Sequence, residues 1–260
     1  MPRGEPASAL TELDEITRRL RRQCPWDREQ DERSIVTHTV EEAYELADAA
    51  HVGDDAKLLD ELGDVLFQVH FLSLLLEERG AGDLAAVARH AIEKLIRRHP
   101  HVFGSVRADT AGEVLRNWDA IKQEEPGRER GIFAEIPANL PALLHARKAQ
   151  RRAASTGFDV PGLDGPLQAV RDGVAELEDA QTPGSQQSFD DVGDLLFGAV
   201  NLARKLSVDP ELALRGATER FRDRVAGAEA GAERTGERWS ELTFERQLEH
   251  YLAAALRQGA

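Results

Sequence analysis

Apolar residues recur at helical spacing along most of the chain. Leu10, Leu13, Ile16 and Leu20 share one face and predict a helix over 10–20, with the first eight residues left outside it as disordered. Arg18, Arg19, Arg21 and Arg22 close that helix, where cations suit the negative end of its dipole. Cys24-Pro25-Trp26-Asp27 then breaks the pattern. A second helix is predicted over 34–50, with Val36, Val40, Ala43, Tyr44 and Ala47 on its packing face, a third over 56–79 and a fourth over 84–98. Val52-Gly53-Asp54-Asp55 reads as the turn that folds helices two and three into an antiparallel hairpin. From Val65 to Leu76 the third helix carries no charge and is expected to be buried all round. Gly63 costs that helix about 1 kcal/mol relative to Ala and is expected to admit a neighbouring backbone. His70 is expected to be a satisfied core residue. Two more helices follow over 113–124 and 143–155, the latter basic through Arg147, Lys148, Arg151 and Arg152. No run of alternating β-branched residues interrupts this series, so the predicted class is all-α.

The second half restates the first. Gly193-Asp194-Leu195-Leu196-Phe197 repeats Gly63-Asp64-Val65-Leu66-Phe67, and Leu202 and Leu206 fall where Leu72 and Leu76 fell. Glu219–Arg224 parallels Glu93–Arg98 at a later point. The predicted organisation is one helical repeat over 10–125, a linker and basic helix over 126–165, and a second repeat with a helical tail over 166–260. The linker is rich in Pro126, Pro137, Pro141 and glycine.

Composition narrows the function. The 260 residues carry a formal net charge of −14, which argues against a nucleic-acid binder or an anionic-membrane binder. Cys24 is the single cysteine, so no internal disulfide and no thiolate metal site is expected. No signal-peptide core opens the chain, and the apolar run at 65–76 is too short to span a bilayer. A cytoplasmic protein is expected.

The candidate chemistry lies in the hairpin. Glu41, Glu42 and Glu45 share a face of its first helix, and Glu61 and Asp64 share a face of its second. Folded together, the two sets oppose each other. Like charges at 4 Å repel by roughly 4 kcal/mol at an effective dielectric near 20. A divalent cation reverses that sign, and an all-carboxylate donor set suits Mg²⁺, with Mn²⁺ as a substitute, rather than zinc. Nearby, Lys94, Arg97, Arg98, His99 and His101 form the densest cationic cluster, suited either to a helix C-terminus or to a phosphate grip. The second repeat is poorer in acids: Gly173 stands where Glu42 does and Asp191 where Glu61 does, while Glu176 and Asp194 keep their places and Glu178 substitutes if the alignment shifts.

The acidic pattern EExxE…ExxD resembles the signature of the MazG nucleoside triphosphate pyrophosphohydrolases. So do CPWDREQ (24–30), EKLIRRHPHVFG (93–104), NWDAIKQEE (117–125), KAQRRAASTGFD (148–159) and GDLLFGAVNLARKL (193–206), in the order of the two-repeat form. The resemblance implies an all-α, dimeric helical bundle that cleaves NTPs or dNTPs to the monophosphate and pyrophosphate with Mg²⁺. It implies Glu42, Glu45, Glu61 and Asp64 as metal ligands and Glu41 as the carboxylate that orients the attacking water. Lys94, Arg97 and Arg98 would hold the polyphosphate, with Lys122 assisting, and Trp26 and Asp27 would border the nucleoside pocket.

Other chemistries fit less well. No GxxxxGK[ST] is present to support a P-loop. A di-iron carboxylate bundle needs Glu-x-x-His on two helices, and no Glu here is followed by His three residues later. The remaining alternative is a catalytically weak dimeric scaffold of the same fold, against which the intact first acid set argues.

Overall fold

The computed structural model describes residues 5–124, 131–134, 136–179 and 184–258. Among them it contains helices and turns and no strand, as the periodicity predicts. The chain divides into two compact units, Met1–Gly127 and Arg128–Ala260.

The first unit contains α1 (Pro6–Gln23), α2 (Pro25–Glu29), α3 (Glu32–Val52), α4 (Asp55–Glu78), α5 (Leu84–Arg98), α6 (Pro100–Phe103) and α7 (Ala111–Glu124). The first helix begins at Pro6, not at Leu10, because a proline costs nothing in the first turn, where its missing N–H would have no partner. The α3–α4 hairpin is its main packing unit. Both ends of its connection are chemically specified. Asp31 caps α3, accepting from the N–H groups of Arg33 (3.0 Å) and Ser34 (2.9 Å), while Ser34 Oγ accepts from the Asp31 N–H at 3.0 Å. Gly53 ends α3 in the left-handed conformation at φ +78°, and Asp54 caps α4 through the N–H groups of Ala56 and Lys57.

The core of this unit is Ile35, Phe71 and Leu75, with Phe67 and Leu72 packed against them. Arg21 joins α1 to it. Its guanidinium lies 5.8 Å from the Phe71 ring centroid, donates to the main-chain oxygens of Asp27 (2.6 Å) and Gln30 (3.0 Å), and pairs with Glu78 at 2.8 Å. One side chain thereby fixes α2 between α1 and the end of α4.

Three expectations for α4 are corrected. It is not buried all round between Val65 and Leu76: Leu66 and Val69 are exposed on one flank, in line with Leu62 before them, since a two-helix hairpin plus α1 covers only part of a helix circumference. Gly63 has no heavy atom within 4 Å of the position its Cβ would take, so no backbone approaches it. His70 is buried but its Nδ1 has no hydrogen-bond partner; Asp14 Oδ1 stands 3.9 Å away, beyond hydrogen-bond reach.

The second unit contains α8 (Ala142–Ser155), α9 (Asp164–Asp179), α10 (Gln186–Lys205), α11 (Pro210–Arg234), a 3₁₀ turn (Trp239–Glu241) and α12 (Phe244–Gln258). The α9–α10 hairpin is the counterpart of α3–α4, α8 packs on α10 and α11, and α12 packs along α11. Ala228, Ala232 and Ala254 are buried where α11 and α12 meet, small side chains that let the two axes come close.

Glu237 locks the turn between α11 and α12. It accepts from Arg246 (2.9 Å), from Thr235 Oγ1 (2.8 Å) and lies 2.9 Å from His250 Nε2. The Arg246 hydrogen bonds, with those of Thr235 and His250, pull its carboxyl down to about 2. The folded carboxyl is thus harder to protonate than the unfolded one. Its contribution to stability is present above the usual carboxylate range and lost as pH falls from about 4.5 toward 2. Glu237→Gln is expected to lower the urea midpoint at pH 7 and to flatten its fall over that acid window; parallel curves for both proteins would contradict the assignment.

Candidate metal centre

Glu42, Glu61 and Asp64 each offer a carboxylate oxygen, and these three atoms lie within 4.8 Å of one another. The hairpin accounts for this. Glu42 is three turns before the end of α3, Glu61 and Asp64 are in the second and third turns of α4, and the short Gly53–Asp54 connection sets the two stretches side by side. Among the described residues no other group of three acids or metal-ligating side chains comes together in this way.

The electrostatics of the trio are unfavourable in the absence of a cation. Burial pushes the Glu42 carboxyl above its usual range, and the charges of Asp64, Glu45, Glu61 and Glu41 push the same way. Burial likewise raises Glu61, followed by the charge of Glu45, with Lys57 opposing them one turn before it. Glu61 is only 5% exposed. A buried carboxylate is stable only with a partner, and the partners it meets here are mostly other carboxylates. This donor set fits a hard divalent cation.

Glu45 bears on Glu42 and Glu61 through its charge but stands outside the group of three. Glu41 is exposed and lies 3.1 Å from His38 Nδ1. The other face of His38 meets Trp26, with ring centroids 5.7 Å apart and planes tilted by 59°. His38 was not among the residues singled out from sequence. Its position was nonetheless readable: 38, 42 and 45 fall at i, i+4 and i+7, one stripe of one helix. Lys57 was missed for a similar reason, as one cation in an acidic stretch. It lines an open groove of about 520 Å³ together with Ala56, Leu59, Asp60, Gly63 and Asp64.

Trp26 is half exposed, whereas Asp27 is buried beneath the α1–α2 junction. Of the basic cluster, Lys94 is half-buried and Arg97 exposed. Arg98 is buried, with its guanidinium 5.2 Å from the Trp118 ring centroid, so α5 and α7 are joined through it. Lys122 lies in α7, but its side chain falls outside the described residues.

The second hairpin differs at the matching place. Asp191 is buried as Glu61 is, and accepts from Gln187 Nε2 at 2.6 Å. Opposite it the helices have closed. A Cβ on Gly173 would stand 3.3 Å from both Cα and Cβ of Leu195 and 3.5 Å from its Cδ1. The close helix approach expected at Gly63 occurs here instead.

This fold and this acid-lined hairpin place the chain in a family of hydrolases: it belongs to the MazG nucleotide pyrophosphohydrolase domain family, whose domain matches residues 30–103, from the cap of α3 through α6. Over 250 residues the chain is 40% identical to the nucleoside triphosphate pyrophosphohydrolase/pyrophosphatase MazG of Thermotoga maritima, covering 95% of this chain and 96% of that protein. It is 41% identical over 206 residues to the nucleoside triphosphate pyrophosphohydrolase of Escherichia coli K12, covering 77% and 78% of the two chains. It is 35% identical over 226 residues to an uncharacterized 26.1 kDa protein of Streptomyces cacaoi.

The crowding predicts a stability signature. A carboxyl whose folded value is raised destabilises the fold once pH passes the usual carboxylate range and both states are charged. Glu61→Gln is therefore expected to raise the urea midpoint at pH 7 in the presence of a chelator and to leave it nearly unchanged at pH 4. An equal loss of stability at both pH values would show that the carboxylate is not held under repulsion.

Proposed function

We propose that the chain hydrolyses nucleoside triphosphates, ribo- or deoxyribo-, to the monophosphate and pyrophosphate in a Mg²⁺-dependent reaction, and serves to clear nucleotides from the cellular pool. The observation that carries this reading is the convergence of Glu42, Glu61 and Asp64 within 4.8 Å. The names of the relatives supply the substrate class. Mg²⁺ would be held by Glu42, Glu61 and Asp64, with Glu45 beside them as a fourth carboxylate. Mn²⁺ substitutes because it accepts the same hard oxygens. Bound there, the cation supplies neutralisation of phosphoryl charge and a more acidic water.

The protein's own groups do the rest. Glu41, tethered to His38, accepts a proton from the attacking water and holds it in line. Lys94 and Arg97 take the charge of the departing phosphates, and Arg98, seated against Trp118, fixes the end of α5 from which they project. Lys122 assists from α7. Trp26 and His38 offer flat surfaces to the nucleoside one helical turn from the acids, about 6 Å along the axis. Asp27 borders that pocket. Hydrolysis of a phosphoanhydride is mainly a matter of such positioning and charge neutralisation.

The active repeat is residues 10–125. The repeat over 166–260 is degenerate at its acid set, as the Gly173–Leu195 contact supports, and 126–165 links them. Glu42→Gln and Asp64→Asn are each expected to lower kcat for pyrophosphate release by at least a hundredfold with the helical signal unchanged, whereas Glu176→Gln combined with Asp194→Asn keeps most activity. NDP and orthophosphate as products would overturn the reaction. Activity lost in the second pair and kept in the first would reverse the choice of repeat.

The chain acts as a homodimer. Val36 and Val40 on α3 and Leu62, Leu66 and Val69 on α4 are exposed on the hairpin, and a second copy covers them. Sedimentation at micromolar concentration is expected to give twice 28.7 kDa, and Leu66→Lys to shift it to monomer. A wild-type monomer would remove this part of the reading. No helix among the described residues is long and apolar enough to cross a membrane, and the reading places the enzyme in the cytoplasm.

A further inference from the structure

The end of α11 carries a charge cluster of the opposite sign to the acidic hairpin. Gly231 is buried in the last turn of that helix, with no side chain of its own to cover the backbone there. Three nitrogens converge on the place. The position a Cβ on Gly231 would take lies 3.4 Å from His250 Nδ1, 3.7 Å from Arg234 Nη2 and 3.7 Å from Arg257 Nη2. No two of these atoms are therefore further apart than twice the longer distance.

Helix electrostatics explains only part of this. Arg234 and Arg257 stand in the last turns of α11 and α12, where cations suit the helix dipole. The Arg257 guanidinium does not stay at its own helix end. It lies back toward His250, seven residues earlier and about 10 Å along the axis. Both arginines are exposed, and among the described residues neither makes an ion pair or a hydrogen bond. Glu237, on the other side of the His250 ring, is already taken by Arg246, Thr235 and His250. Like charges brought together repel, and the chain, with a net charge of −14, has acids to spare. None is placed between these two.

His250 sets the chemistry of the third position. The Glu237 carboxyl, pulled down to about 2, is ionised at neutral pH and lies 2.9 Å from Nε2. Nε2 therefore carries the ring proton, so Nδ1 is a lone pair in the neutral ring and an N–H donor only in the charged one. An anion at Nδ1 favours the charged ring, and by linkage the proton favours the anion equally.

We infer that Arg234, Arg257 and His250 form a binding site for a small tetrahedral oxyanion, of the chemistry of sulfate or inorganic phosphate. Each guanidinium donates to a different oxygen at the roughly 2.8 Å of a charge-assisted bond, which spans the gap between them, and the charged imidazole donates to a third. The occupant ties the end of α11 to α12, beside Ala228, Ala232 and Ala254, whose side chains offer only small contacts. The site uses no group assigned to hydrolysis and does not depend on that reading.

The test is calorimetric titration of the full-length chain with sulfate in EDTA at pH 6 and pH 8, since the charge of sulfate does not change between them. One sulfate per chain is expected, at least threefold tighter at pH 6, with protons taken up on binding. Arg234→Gln and Arg257→Gln are each expected to weaken it at least tenfold; both side chains are exposed, so these variants fold. Arg97→Gln, in the basic cluster of α5, is expected to leave it unchanged. Inorganic phosphate at pH 8 is expected to compete with sulfate. Absence of saturable binding at millimolar concentration overturns the inference, as does an affinity equal at the two pH values. Binding lost in Arg97→Gln and kept in the other two variants also overturns it, by placing the anion on α5.

Discussion

Carboxylates that repel one another face each other across the first hairpin, and the surrounding structure makes their proximity possible. Glu61 and Asp64 share α4 and Glu42 faces them from α3, and the two helices are held together by the apolar contacts of Ile35, Phe71 and Leu75. Hydrophobic burial of this size, about 1.5–3 kcal/mol for each large side chain, is comparable with the repulsion between charges at such distances. The packing end of the hairpin thus holds its polar end under electrostatic load. The capped, two-residue connection at Gly53 and Asp54 fixes the register, so the load falls on the same side chains in every molecule.

Much of this arrangement was legible in the chain itself. The hairpin, its turn and the sharing of a face by Glu42 and Glu45, and by Glu61 and Asp64, follow from helical period and from the residue types that cap and break helices. Burial around the full circumference of a helix did not follow. Leu66 and Val69 read like core residues because composition records that a residue is apolar and not which neighbour covers it. The two glycines that precede the Asp of each repeat are alike in sequence and are both open in space, while the close approach is made by Gly173, on the opposite helix. Helix separation is a property of pairs, and a single strand of text does not contain it. Arg98 shows the same limit: its spacing marked it as one of a cationic cluster and did not show that Trp118, twenty residues on, supplies a ring for its guanidinium. His38 was overlooked because a lone histidine has no motif, although its spacing to Glu42 was in plain view.

The two hairpins show how one scaffold supports different interiors. Both begin their second helix with a buried acid, Glu61 in one and Asp191 in the other. In the first, neighbouring carboxylates surround it. In the second, Gln187 one turn earlier supplies a hydrogen-bond donor, and Asp191 needs nothing from outside. The difference of one methylene matters less than the difference in partner.

The contact between Gly173 and Leu195 couples two positions of the second hairpin. A larger residue at 173 brings a Cβ to 3.3 Å from Leu195, so Leu195 has to give way by a few tenths of an ångström. A smaller residue at 195, arriving first, leaves a void beside a glycine and loses the dispersion contacts that hold the helices together. Both changes act on one contact, so the approach of α9 to α10 depends on the pair and not on either residue alone. The absence of one side chain, at Gly173, sets how near these two helices stand.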